Sequence, residues 1–259
     1  FNITNTMILI WFIPHIEKIV SWIIPQKAEK EVFRLKYIQG GPLSTAELSL
    51  DEAEQEIVHF SEICYNGFGY MRQAINEKDP VKFGELREKL IKYEAITDRI
   101  EYEIADYLNE VSKGEISSSS AVRINGMYKI IGELESIGDS GDAIGRILAR
   151  RNEHGLSFDE QQLKRLGRMC DLLDDAFKAM TNNLKAPYTS LKDITNAQDA
   201  EYNINECRNT LREEHIINIE ENSSYNYQVG VFYMDIVAEL EKMGDFMINV
   251  SEAKIAENG

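Results

Sequence analysis

The chain has 259 residues, 43% of them hydrophobic, enough for one large domain or two small ones with a buried core. Its formal net charge of −16 is the wrong sign for a nucleic-acid binder and excludes a general basic surface that would steer phosphates. Only five prolines stand among long stretches of Glu, Lys, Leu, Ile and Ala, which favours helices over sheets. The three cysteines, Cys64, Cys170 and Cys207, form neither a CxxC pair nor a disulfide set, and the simplest compartment for most of the chain is a reducing cytoplasm.

The opening FNITNTMILIWFIPHIEKIVSWIIP is strongly apolar but is interrupted by Pro14, His15, Glu17 and Lys18. A spanning helix needs about 20 apolar residues. A core helix or an interfacial amphipathic segment would account for this stretch, as would the end of a membrane helix in a fragment that starts at Phe1. The last reading is favoured, because Trp11 and Trp22 sit where an aromatic belt would and Lys18, Lys27, Lys30, Arg34 and Lys36 follow. The positive-inside rule then places everything after about residue 30 in the cytoplasm.

Residues 37–48, with Gly40, Gly41 and Pro42, read as a linker. Ser49 and Glu52 form a capping-box pattern at the start of a first helix, which Asp79-Pro80 ends. A second helix is expected from about 81 to 111, and Lys113-Gly114 stops it. A third starts at the serine run 117–120, where one hydroxyl caps, and ends near Asn152 to Gly155. Ser157 and Glu160 repeat the capping-box pattern, and the following helix ends at Lys185-Ala186-Pro187.

The pattern then recurs. Cys170 follows Cys64, and Asp245 follows Asp139, by 106 residues, while Glu206 follows Glu101 by 105. This period is too long for a solenoid repeat and fits a duplicated three-helix unit. The expected fold is all-α, with two tandem antiparallel three-helix bundles over 49–155 and 156–259, preceded by the end of a membrane helix in 1–36.

Both units carry acids at i, i+4 and often i+7 on their middle and last helices. The first has Glu94, Asp98 and Glu101, then Glu135, Asp139 and Asp142; the second has Asp199, Asn203 and Glu206, then Glu241, Asp245 and Asn249. Such spacings put each set along one helix face, so neighbouring ladders can face one another. A glycine precedes an aspartate on each last helix, Gly138 and Gly244, at about 1 kcal/mol relative to Ala. An ordinary solvated acidic face and a metal site both account for the ladders. If metal binds, all-oxygen donors suit hard ions such as Mg, Ca, Mn or ferric iron. A redox di-iron enzyme would need Glu-x-x-His on two helices, and His15, His59, His154 and His215 all lie off the ladders. No nucleophile or acid–base pair stands out, so no catalytic role is expected.

The duplicated unit with E-x-x-x-D on its middle and last helices resembles the PhoU-like domain, and GDFMINV, ending in Asn249 and Val250, is similar to the turn typical of its last helix. The opening FNITNTMILIWFIP resembles the last membrane segment of bacterial Na+/phosphate cotransporters, which carry a PhoU-like domain at the cytoplasmic C-terminus, and LKYIQGGPLSTAELSLDEAEQEI is similar to their junction. The resemblance implies multinuclear metal clusters on the E-x-x-x-D faces and a part in controlling phosphate uptake. Its ligand candidates are Glu94, Asp98, Glu135 and Asp139 in the first unit and Asp199, Glu241, Asp245 and Asn249 in the second. Asn203 and Ala143 depart from the pattern, which makes each cluster lean.

The resemblance further implies a bacterial inner-membrane location and a membrane transport domain outside this chain as partner. Sodium and phosphate would be the transported ions, the metal would be Fe, Mg, Mn or Ca, and the bundle could form a homodimer. A free-standing PhoU-type regulator and a carboxylate-bridged metalloenzyme are the alternative readings.

Overall fold

A computed structural model describes residues 35–187, 190–221 and 225–256. These residues form six long helices: α1 (Ala46–Asn76), α2 (Pro80–Ser112), α3 (Ser118–Glu153), α4 (Glu160–Lys185), α5 (Thr195–Glu221) and α6 (Tyr227–Ala256). The all-α expectation holds. Among the described residues no helix is long and apolar enough to cross a membrane. The expected membrane segment falls in residues 1–34, outside the described residues.

Local chemistry sets the helix ends, and two caps differ from the sequence reading. Thr45, not Ser49, caps α1 by accepting from the Leu48 amide. Ser49 lies inside the first turn, where its hydroxyl accepts from the Leu43 amide and donates to the Thr45 carbonyl. Asp159, not Ser157, caps α4, in a capping box with Gln162. In both places a neighbouring acceptor does the same job, so the serine signal located the start to within a few residues and misnamed the cap. Asp79 caps α2 with Pro80 in its first turn, and Ser117 caps α3. Gly155, at φ 65°, gives the left-handed turn that follows α3.

Helices α1, α2 and α3 pack on one another, as do α4, α5 and α6, and the two trios join through α3 against α6 and α1 against α4. Adjacent helices run antiparallel. Tyr107, late in α2, donates to Glu52, early in α1 (2.9 Å), and Tyr128, early in α3, donates to the Ala105 carbonyl late in α2 (3.1 Å). The joins pair equivalent helices, also antiparallel, as an approximate two-fold axis would arrange them. On the α1–α4 side Phe68 and Phe177 meet with ring centroids 5.1 Å apart, and the Tyr65 hydroxyl donates to Asp174 (2.6 Å). On the α3–α6 side an added Cβ at Gly141 would lie 3.9 Å from Met243 Cε, and Ile130, Leu134 and Ile137 of α3 and Ile236, Leu240, Met243 and Met247 of α6 are buried. The bundles therefore share a core rather than standing independently in tandem.

Two buried charges tie neighbouring segments together. The ammonium of Lys254, 2% exposed, bonds to Glu54 (3.1 Å), which also accepts from Arg123 (2.9 Å), tying α6, α1 and α3 together. The fully buried Glu56 accepts from the Tyr37 and Ile38 amides (2.6 and 3.2 Å), anchoring the segment that leads into α1.

Candidate metal centre

The site is built at a close approach of α2 and α3. A side chain on Gly138 would place its Cβ 2.3 Å from Thr97 Oγ1, so the bare glycine is what admits Thr97. Thr97 is buried, and its hydroxyl donates to the Glu94 carbonyl (2.8 Å). Asp98 and Asp139 follow Thr97 and Gly138 in sequence, so the same close approach brings the two carboxylates together. Glu94, Asp98 and Asp139 each offer an oxygen, and these oxygens lie within 4.8 Å of one another.

Electrostatics register this crowding. Burial, then Asp139 and Asp98, push the Glu135 carboxyl up to about 7. Glu94 is raised by burial and then by Asp98, Asp142 and Asp139; Asp139 is raised by burial and by Asp98. The bordering arginines, Arg87 and Arg146, both pair with the buried Asp142. Asp142 is thereby a neutralised strut, not an open ligand. The remaining donors, Glu94, Asp98, Glu135 and Asp139, are all carboxylates, half-buried or exposed, with Glu101 close enough to raise Glu135. An all-oxygen, multiply anionic set fits a hard divalent or trivalent cation, which would relieve the mutual repulsion.

In the second repeat the register differs from the sequence expectation. Gly244 packs against Ile204, whose Cδ1 would lie 2.9 Å from an added Cβ, so Ile204 is the counterpart of Thr97. Ile204 follows Thr97 by 107 residues, whereas Gly244 follows Gly138 by 106. The middle-helix shift therefore runs opposite to the one inferred from Glu101 and Glu206. The residues that face Glu241 and Asp245 are Glu201, Asn205 and Arg208. Arg208 pairs with Glu241 (3.0 Å) and donates to Asn205 (3.3 Å), and Asn205 donates to Glu201. Glu241 is raised by burial and by Asp245, with Arg208 opposing; Asp245 is raised by burial, again against Arg208.

The other ladder residues of that repeat, among them the expected ligands Asp199 and Asn249, lie elsewhere. Asp199, Asn203 and Glu206 are exposed, and the last two line the groove toward Arg165 and Arg168 of α4. The Asn249 amide donates to Glu133 of α3 (3.1 Å), across the join between repeats. Arg208 is the charged residue of this face that the ladder reading missed. Its signal was present: Glu201, Asn205 and Arg208 have the same i, i+4, i+7 spacing as Glu94, Asp98 and Glu101.

No cysteine or described histidine joins either face. The cysteines are buried free thiols, and burial pushes Cys170 up to about 12 and raises Cys64 and Cys207. His59 packs on Tyr37, His154 on Phe232, and His215 bonds to the Tyr225 hydroxyl (2.9 Å).

Fold and site together define a duplicated helical bundle with one carboxylate-lined face and one face crossed by an arginine. Residues 57–148, within the first repeat, match the model of the PhoU domain. The fold is that of two solved PhoU structures. The phosphate transport system regulatory protein PhoU from Streptococcus pneumoniae is 19% identical with a TM-score of 0.65, over 82% of this chain and 96% of that one. PhoU from Pseudomonas aeruginosa is 16% identical with a TM-score of 0.63, over 82% of this chain and 97% of that one. No curated protein matches the sequence.

Proposed function

We propose that this chain is the cytoplasmic, PhoU-like regulatory portion of a bacterial sodium-dependent phosphate transporter, and that it holds metal on the first repeat's acid face. The observation that carries the metal reading is the convergence of Glu94, Asp98 and Asp139 oxygens within 4.8 Å, with Glu135 beside them. Bound metal would supply positive charge that locks α2 to α3 at the Thr97–Gly138 contact. The chain's own residues provide hard oxygen donors, and the reading assigns them no catalytic step.

The transporter reading is supported by the apolar opening and its basic flank, by the PhoU-domain match over 57–148, and by the likeness to a phosphate transport regulator. Its partners would be the membrane and a transport domain encoded upstream, with a second copy of the bundle as a further candidate. Metal analysis of the purified chain before and after Asp139→Ala tests the site, with stoichiometric metal expected in the parent and lost in the variant. Unchanged metal, or none in the parent, returns the face to an ordinary solvated acidic surface. The gene upstream of Phe1 tests the architecture: membrane helices are expected, and an open reading frame without them would overturn it. Phosphate uptake by cells carrying Asp139→Ala in the complete gene should be misregulated while transport itself persists.

A further inference from the structure

A cavity of about 520 Å³ lies between the α1–α2 turn and the α3–α4 turn, away from both acid faces. Arg151 forms part of its wall and is only 5% exposed. Its guanidinium donates to Asn152 Oδ1 (3.2 and 2.7 Å) and lies over the Phe158 ring at 4.4 Å. No carboxylate pairs with it among the described residues. This contrasts with the likewise buried Lys254, which has Glu54. Burying an unpaired guanidinium is costly, and a protein ordinarily offsets that cost with a counter-ion.

The cavity wall gathers further donors around that charge. Lys78 and Ser157 are exposed at its edge, and Asn152 contributes an amide whose oxygen is already engaged by Arg151. One acid, Glu77, also lines the cavity, with its Oε1 held by the Lys78 and Asp79 amides (both 2.8 Å), while Asp79 accepts from Val81 and Lys82 as the α2 cap. A forked guanidinium, an ammonium, a hydroxyl and an amide bordering one cavity match an anion with several oxygens better than a planar carboxylate. The volume exceeds that of a bare tetrahedral oxyanion and leaves room for a few more heavy atoms.

We propose that this cavity binds a phosphoryl group, as free phosphate or at the end of a small phosphomonoester, with Arg151 as its buried counter-charge and Lys78 at its mouth. The cavity spans the α1–α2 turn of the first repeat and the connector to the second, so its occupant would clamp the two together at that end.

Calorimetric titration of the full chain with inorganic phosphate, and separately with glycerol 3-phosphate, tests the site. EDTA in the buffer keeps metal-bridged phosphate on the acid face from contributing, so the result does not depend on the metal reading. Saturable binding is expected, weakened about tenfold or more by Arg151→Gln and measurably by Lys78→Ala. Tighter binding of glycerol 3-phosphate would assign the spare volume to an organic portion; tighter binding of inorganic phosphate would assign the site to the free ion. Should Arg151→Gln fail to fold, the exposed Lys78→Ala decides. Absence of binding by both probes, or an affinity that Lys78→Ala leaves unchanged, overturns the proposal and leaves Arg151 satisfied by Asn152 and Phe158 alone.

Discussion

In the first repeat Thr97 fills the space beside Gly138, and Asp98 and Asp139 meet with Glu94 as a cluster of carboxylates. In the second, Ile204 fills the space beside Gly244, but Asn205 replaces the aspartate and Arg208 stands where the first repeat has Glu101, reaching Glu241 at 3.0 Å. The packing device is shared while the charge differs by two substitutions on one helix face. A duplicated fold can therefore keep its geometry and still carry one face of clustered carboxylates and one that supplies its own cation. The pairing of Arg208 with Glu241 does electrostatically what a bound ion would do on the other side.

The sharpest way to break this comparison is to neutralise the equivalent aspartates one at a time. Asp139→Asn should remove bound metal, as read by elemental analysis of the purified protein, whereas Asp245→Asn should leave the metal content unchanged. Equal losses would show that both faces hold metal in spite of Arg208. The complementary change is Arg208→Glu, which restores one of the two first-repeat acids missing from the second. Without metal it leaves Glu241 unpaired beside a new acid and should lower the melting temperature; with metal added, a second bound equivalent and recovery of the melting temperature are expected. A variant that stays at the parent stoichiometry would mean that Asn205, not Arg208, is what closes the second face.

Helix positions, the duplication and the first ladder were legible because each rests on short-range periodicity. Apolar residues such as Ile57, Phe60, Cys64 and Phe68 mark one helix face by spacing alone, and all four are buried. The second ladder was misplaced because alignment followed acid identity, from Glu101 to Glu206, rather than packing, from Thr97 to Ile204. A two-residue error in helical register turns a side chain about 200° around the axis, which sent Asn203 and Glu206 to the α4 side. Arg151 was invisible for a different reason. Two adjacent arginines near a helix end read as solvated charge, and only tertiary packing of Phe158 over the second shows that it is buried.

The glycines offer a smaller contrast. Gly138→Ala must displace Oγ1 and Cβ of a buried, β-branched Thr97, whereas Gly244→Ala first meets the Cδ1 end of Ile204, which has another rotatable bond. Overpacking costs about 1–3 kcal/mol, and the better helix propensity of Ala returns about 1 kcal/mol. Gly138→Ala should therefore destabilise by up to about 2 kcal/mol in denaturant titration, and Gly244→Ala by less. Thr97→Ser in the Gly138→Ala background should recover part of the loss, since it removes the Cγ2 contact. Equal costs in the two repeats would argue that the close approach at Gly138 is not special to the acid face.

The finest distinction is the response to pH, where the sign depends on metal. The Glu135 carboxyl, raised to about 7 by burial and then by Asp139 and Asp98, favours its protonated form in the folded protein. Its contribution to stability is therefore fully present below its ordinary value of 4.5 and is lost as pH rises through about 7. Metal-free protein should gain stability from this group as pH falls across that window. Metal requires the deprotonated carboxylate, so affinity at this face should fall about tenfold per pH unit below 7 for one displaced proton. The two melting-temperature curves, with and without metal, should converge as the pH is lowered, and Glu135→Gln should flatten the metal-free dependence over that range. If the Glu135→Gln curve keeps the parent slope, the pH response belongs to the general acidity of the chain and not to this face.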